Sequence, residues 1–112
     1  MSKKRLSKYA TLNVINSVTA NGDYPAGAYL TMADDRAIAI YGAFDGATLS
    51  FVFFTEQVDE TLSELPVSTD FTFTSIPELQ RFSFPESCPF KVRISGAGAS
   101  TDLSVNLLLL RQ

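Results

Sequence analysis

Histidine is absent from this 112-residue chain, which removes the side chain that most often moves protons or holds metals near neutral pH. The ionisable groups are twelve carboxylates, nine basic side chains and a single thiol, Cys88, besides four Tyr. Neither a Ser-His-Asp nor a Cys-His nucleophile can be assembled from that set. One cysteine makes neither an internal disulfide nor a zinc cluster. The acids Asp34-Asp35, Asp45, Asp59-Glu60 and Glu64 are of the type that ligates calcium. Their spacing matches no dedicated calcium loop, and turn and surface positions account for them. Gly96-Ala97-Gly98-Ala99 has the look of a phosphate loop, but it lies between two alternating apolar segments and no Lys follows. The expectation is a protein that is not an enzyme, with no catalytic residues, no cofactor and no metal site.

Charge is unevenly spread. Lys3, Lys4, Arg5 and Lys8 place +4 in the first eight residues, with Leu6 as an apolar anchor among them. The rest has five basic residues against all twelve acids, a balance of −7. Residues 1–8 therefore read as a basic arm and 9–112 as one domain. The arm is either a solvated tail or a device that docks on an acidic surface. Sequence-specific nucleic-acid binding is not expected, because the body is acidic and the arm has no aromatic residue between its charges. Tyr9–Ala20 is too polar for the apolar core of a signal peptide, and no apolar run reaches the ~20 residues of a membrane span. A lone cysteine suits assembly in a reducing cytoplasm.

The elements show period-two alternation. Tyr9–Ala20 reads as a first strand, with Ile15 out of phase, so that a bulge or a second contact is expected there. Asn21-Gly22-Asp23 reads as a turn and Ala28–Met32 as a short strand. Ala37–Phe54 and Phe90–Leu110 are matched segments: alternation, a Gly-rich turn, alternation again. Both read as hairpins, with Asp45-Gly46 as hairpin turn chemistry. On Thr48–Thr55, Leu49, Phe51 and Phe53 share one face and Val52 and Phe54 the other, so both faces should be covered. Gln57–Pro66 reads as an acidic loop. Asp70–Thr74, Arg81–Phe84 and Lys91–Ser95 are further short strands. The core should include Ile38, Ile40, Leu49, Phe51, Phe53, Phe71, Val92, Ile94, Val105 and Leu107. Seven to nine strands without a helix predict an all-β, antiparallel two-sheet β-sandwich, immunoglobulin-like or jelly-roll-like. In the last strand, Leu108 and Leu110 occupy the face that Ser104 and Asn106 open as polar. They predict either a second small core or a subunit contact.

The two matched segments carry a resemblance. Gly42-Ala43-Phe44-Asp45-Gly46-Ala47-Thr48-Leu49-Ser50-Phe51 is similar to a turn and strand of small structural proteins of tailed bacteriophages. Phe90-Lys91-Val92-Arg93-Ile94-Ser95-Gly96-Ala97-Gly98-Ala99-Ser100-Thr101 resembles the closing hairpin of the same immunoglobulin-like β-sandwiches. Thr55–Pro66 departs from them, being acidic and Trp-free where they often carry Asp-Gly-Gly and a Trp. The resemblance implies a virion component made in the host bacterial cytoplasm, present in several copies or as a homo-oligomer. It would dock on capsid, portal, adaptor or tail subunits, as capsid decoration or a head–tail or tail-associated part. Lys3, Lys4, Arg5, Leu6, Lys8, Leu108 and Leu110 are the candidate partner-binding residues. A receptor- or carbohydrate-binding module on a fibre or capsid tip is the alternative, which a concave cluster of exposed tyrosines would favour.

Overall fold

The computed structural model describes residues 9–31, 35–79, 81–84 and 88–110. Apolar alternation resolves there into nine strands: β1 (Tyr9–Val18), β2 (Gly22–Tyr24), β3 (Asp35–Ala43), β4 (Thr48–Glu56), β5 (Leu62–Glu64), β6 (Thr72–Phe73), β7 (Arg81–Ser83), β8 (Phe90–Ser95) and β9 (Asp102–Leu110). A 3₁₀ turn, Thr69–Phe71, is the only helical element among the described residues; the Ser68 hydroxyl caps it by accepting from the Asp70 N–H at 3.1 Å. The strands form two antiparallel sheets. One has the order β1-β9-β3-β7, and the other β2-β8-β4-β5, with β6 also paired to β4. The architecture is the expected all-β sandwich.

The matched segments are not hairpins. β3 and β9 lie in one sheet, β4 and β8 in the other, so each Gly-rich turn carries the chain from sheet to sheet. The pairing is between the segments: Ile38 lies opposite Leu107 and Ile40 opposite Val105, while Leu49 lies opposite Ile94 and Phe51 opposite Val92. The turn chemistry itself is as expected. Asp45 and Gly46 both have positive φ, and the Ala47 N–H donates to the Phe44 carbonyl at 2.9 Å. Phe44 and Ala47 then face inward and close the end of the core. The true hairpin is β4–β5, within the stretch read as a loop. Its turn is held by Gln57 N–H to the Thr61 carbonyl at 2.7 Å, with Glu60 at positive φ.

Other boundaries also moved. Gly22 and Asp23, read as a turn, belong to β2 and pair with Ile94 and Arg93. Of the expected strand Ala28–Met32, Met32 lies outside the described residues, and the described part has one bridge, Leu30 to Phe90. The bulge expected in the first strand is present: register shifts fall on both sides of Ile15, which turns inward and is buried.

The core is one contiguous cluster. Eight of the ten expected core residues are buried; Phe53 and Phe71 are half-buried and pack against the cluster. Phe44, Phe73, Phe84, Phe90 and Leu103 join it. Phe51 is fully buried, with the rings of Phe71, Phe84 and Phe90 centred 5.8–5.9 Å away and that of Phe73 at 6.4 Å. Tilted and edge-on ring pairs of this kind add to plain burial. In the absence of Trp, phenylalanine supplies the bulk between the sheets.

Candidate functional site

Alternation along β8 points Lys91 and Arg93 away from the core, onto the outer face of the second sheet. Register places Asp23 of β2 and Ser50 of β4 beside Arg93. The Arg93 guanidinium binds two carboxylates at once. Its Nε and Nη2 donate to Asp23 at 2.7 and 2.9 Å, and its Nη1 and Nη2 donate to Glu64 at 2.7 and 2.9 Å. Glu64 lies opposite Phe54, so the bridge runs diagonally over β4 from the Ser50 register to the Phe54 register. Val52 lies between those two positions on the same face and is fully buried. One basic residue thus ties β2, β8 and β5 together across the back of β4.

Beside this bridge, the segment after β2 folds over the same face. Tyr29 meets Phe54 edge-on at 5.0 Å, and Lys91 Nζ sits 4.8 Å above the Tyr29 ring while donating to the Pro25 carbonyl at 3.1 Å. This cover gives β4 its second buried face, as its sequence predicts. The cation–π contact contributes roughly 0.5–1 kcal/mol at an exposed site.

The ionised groups here are stabilised in their charged forms. The hydrogen bonds from Arg93 hold the Asp23 and Glu64 carboxyls below the usual carboxylate range, and the two carboxylates hold Arg93 protonated. Asp59, at the β4–β5 tip, is lowered by the Thr61 hydroxyl and N–H, which donate to it at 2.7 and 3.2 Å. A depressed carboxylate pKa stabilises the fold above the ordinary carboxylate range, and that stability is lost as pH falls through the lowered value. Arg93→Met should therefore flatten the acid limb of a melting-temperature profile. At pH 7 it should cost only about 0.2–1 kcal/mol per pair, because these side chains are a third or more exposed to screening solvent. An unchanged acid limb in thermal melts of the variant would refute the tie.

The end of the sandwich is a second polar construction. The Thr101 hydroxyl donates to the Phe44 carbonyl at 2.8 Å and accepts from the Gly98 N–H at 2.8 Å. Asp45 accepts from the Ser100 N–H at 2.7 Å. A Cβ on Gly98 would fall 2.5 Å from Asp45 Oδ2, so glycine is what lets the two turns close on each other. The motif that looked like a phosphate loop is half of this clasp.

The sequence-predicted residues fare differently. Lys3, Lys4, Arg5, Leu6 and Lys8 lie outside the described residues, as does the side chain of Leu110. Leu108 is half-buried on the outer face of the first sheet, in register with Thr11 and Ala37. Ala37 beside it is buried, so a small apolar patch stands there. Of the acids of calcium-ligating type, Asp34 lies outside the described residues; among the described residues no three His, Cys, Asp or Glu side chains form a metal-sized group. Tyr41 stands on the outer face of the first sheet, where Asn106 donates to its hydroxyl at 3.1 Å. Tyr29 lies on the outer face of the second sheet, so these two exposed tyrosines are on opposite faces. Sequence reasoning placed Arg93 outward but missed its two partners. Residues 23 and 64 are far from it along the chain and lie in stretches that read as a turn and a loop, so nothing in the sequence pointed to a shared face. Comparison of the chain with protein-family models, curated proteins and solved structures finds no match.

Proposed function

We propose that this is a non-enzymatic structural protein that acts by docking a preformed sandwich onto other subunits. Following the resemblance of its two Gly-turn segments, we place it in a tailed-phage virion, as capsid decoration or a head–tail or tail-associated component. The observation that carries the reading is the braced outer face of the second sheet, where the Arg93 guanidinium donates to both Asp23 and Glu64 at 2.7–2.9 Å across β4. Those hydrogen bonds also hold the Asp23 and Glu64 carboxyls below the usual carboxylate range. Charge is used to stiffen a surface. Apolar side chains standing in solvent supply contact points: Leu12 on β1, Val58 at the β4–β5 tip, and Ile76 and Leu79 between β6 and β7. Tyr29 and Tyr41, on opposite faces, do not form the concave tyrosine cluster that would favour the receptor- or sugar-binding alternative.

Mass spectrometry of purified particles tests the placement. The chain should appear in fixed stoichiometry to the capsid or tail subunits, and its absence from particles would end the virion reading. Deleting Met1–Lys8 tests the docking arm. The truncated chain should keep the far-UV dichroism of the whole protein and lose incorporation, because exposed charges alone contribute little at physiological salt and Leu6 must add apolar contact. Normal incorporation of the truncated chain would make the arm a solubility tail.

A further inference from the structure

The strand at one edge of the first sheet is built unlike every other edge. Unpaired backbone along an edge is a template for a further strand, and proteins usually blunt it with charge, proline, shortness or bulges. β2, β5, β6 and β7 have two or three residues each, and β2, β5 and β7 include a charged residue. β1 has ten residues, Tyr-Ala-Thr-Leu-Asn-Val-Ile-Asn-Ser-Val, with no charge and no proline. Its inner side pairs with β9, and no described strand pairs with its outer side. Bulges blunt only its second half. From Tyr9 to Asn13 the register against Leu110 to Asn106 runs without a shift. Leu12, in register with the buried core residue Leu107, is nevertheless 40% exposed at this edge.

We infer that residues Tyr9–Asn13 of β1 pair antiparallel with the same segment of a second copy of this chain. The result is a two-fold dimer with one continuous sheet of eight strands. Charge selects this occupant and direction. Parallel pairing would lay two basic arms of +4 side by side. Antiparallel pairing places the two +4 segments at opposite ends of the contact, and the rest of each chain carries −7. A five-residue segment pairs fully with itself only when its middle residue, Thr11, lies on the two-fold axis. Leu12 then lies opposite the partner's Ala10, so its exposed side chain gains an apolar neighbour. A two-fold contact is self-complementary and closes, so the free edge is consumed without filament growth. The dimer is a property of the isolated chain and does not depend on the virion placement.

The test is sedimentation equilibrium of the full chain with a register-specific cross-link. Wild type should sediment at twice the 12.2-kDa chain mass. Leu12→Lys, which puts a charge on each side of the axis, should shift it to the single-chain mass while far-UV dichroism is unchanged. In a Cys88→Ser background, Thr11→Cys should form a disulfide-linked dimer on mild oxidation. Its Cα–Cα separation on the axis would be about 4.5–5.5 Å, which suits a disulfide. Val58→Cys, at the distant hairpin tip, should not cross-link to a comparable extent. A wild-type monomer at micromolar concentration overturns the inference. So does a dimer that Leu12→Lys leaves intact, or one that Thr11→Cys fails to link.

Discussion

Phe51→Ala is expected to destabilise the protein by about 3–5 kcal/mol, the usual cost of truncating a fully buried phenylalanine. Phe51 has no exposed surface, and four other phenylalanine rings surround it. Phe71 and Phe73 precede β7, Phe84 follows it, and Phe90 opens β8, so the cavity would loosen contacts between both sheets. A domain of this size commonly has only about 5–15 kcal/mol in total. Phe53→Ala is the informative comparison. Its side chain is half-buried and touches Phe71, Phe84 and Phe90 from the margin, so less apolar surface is lost. Urea denaturation of both variants should rank Phe51 well above Phe53. Equal midpoints would show that the core is not centred on Phe51.

Gly42→Ala is expected to be nearly as damaging although it adds a single methyl group. Gly42 lies in β3 at φ +114°, a conformation L residues seldom adopt. That alone costs on the order of 1–3 kcal/mol. The added Cβ would also sit 1.9 Å from the Asp102 carbonyl oxygen, a backbone atom with no rotamer to escape into. The pairs Gly42–Leu103 and Ala43–Asp102 would have to open, next to the clasp that Thr101 makes with Phe44. Amide exchange should accelerate first at residues 102–104, and the unfolding midpoint should fall. A variant with wild-type midpoint and exchange would mean that the β3–β9 register near this end is wrong.

Much of this fold is legible in the residues. Ile38 and Ile40, and Leu103, Val105 and Leu107, alternate with smaller or polar residues, and that period belongs to strands alone. Ile15 breaks the phase of its neighbours, and a bulge restores it to the core. Asp45-Gly46 specifies a turn at positive φ wherever its flanking strands go. The candidate partner-binding residues were less legible. Basic residues at 3, 4, 5 and 8 announce charge but not its destination. Leu108 reads as exposed until Ala37 and Thr11 are placed on either side of it.

What the sequence by itself determined is local: strands rather than helices, the Gly-rich turns, the inward side of the long strands, and a chain without histidine. Only the tertiary structure decided which strands share a sheet. Alternation and a positive-φ turn are the same whether the chain folds back beside itself or crosses to the facing sheet. The choice rests on β3 pairing with β9 and β4 with β8, contacts between residues far apart in the chain. The same long-range pairing brings Asp23 and Glu64 to Arg93, and it leaves β1 at an edge. Each of these depends on a neighbour supplied by another part of the chain, and no short window of sequence contains both partners.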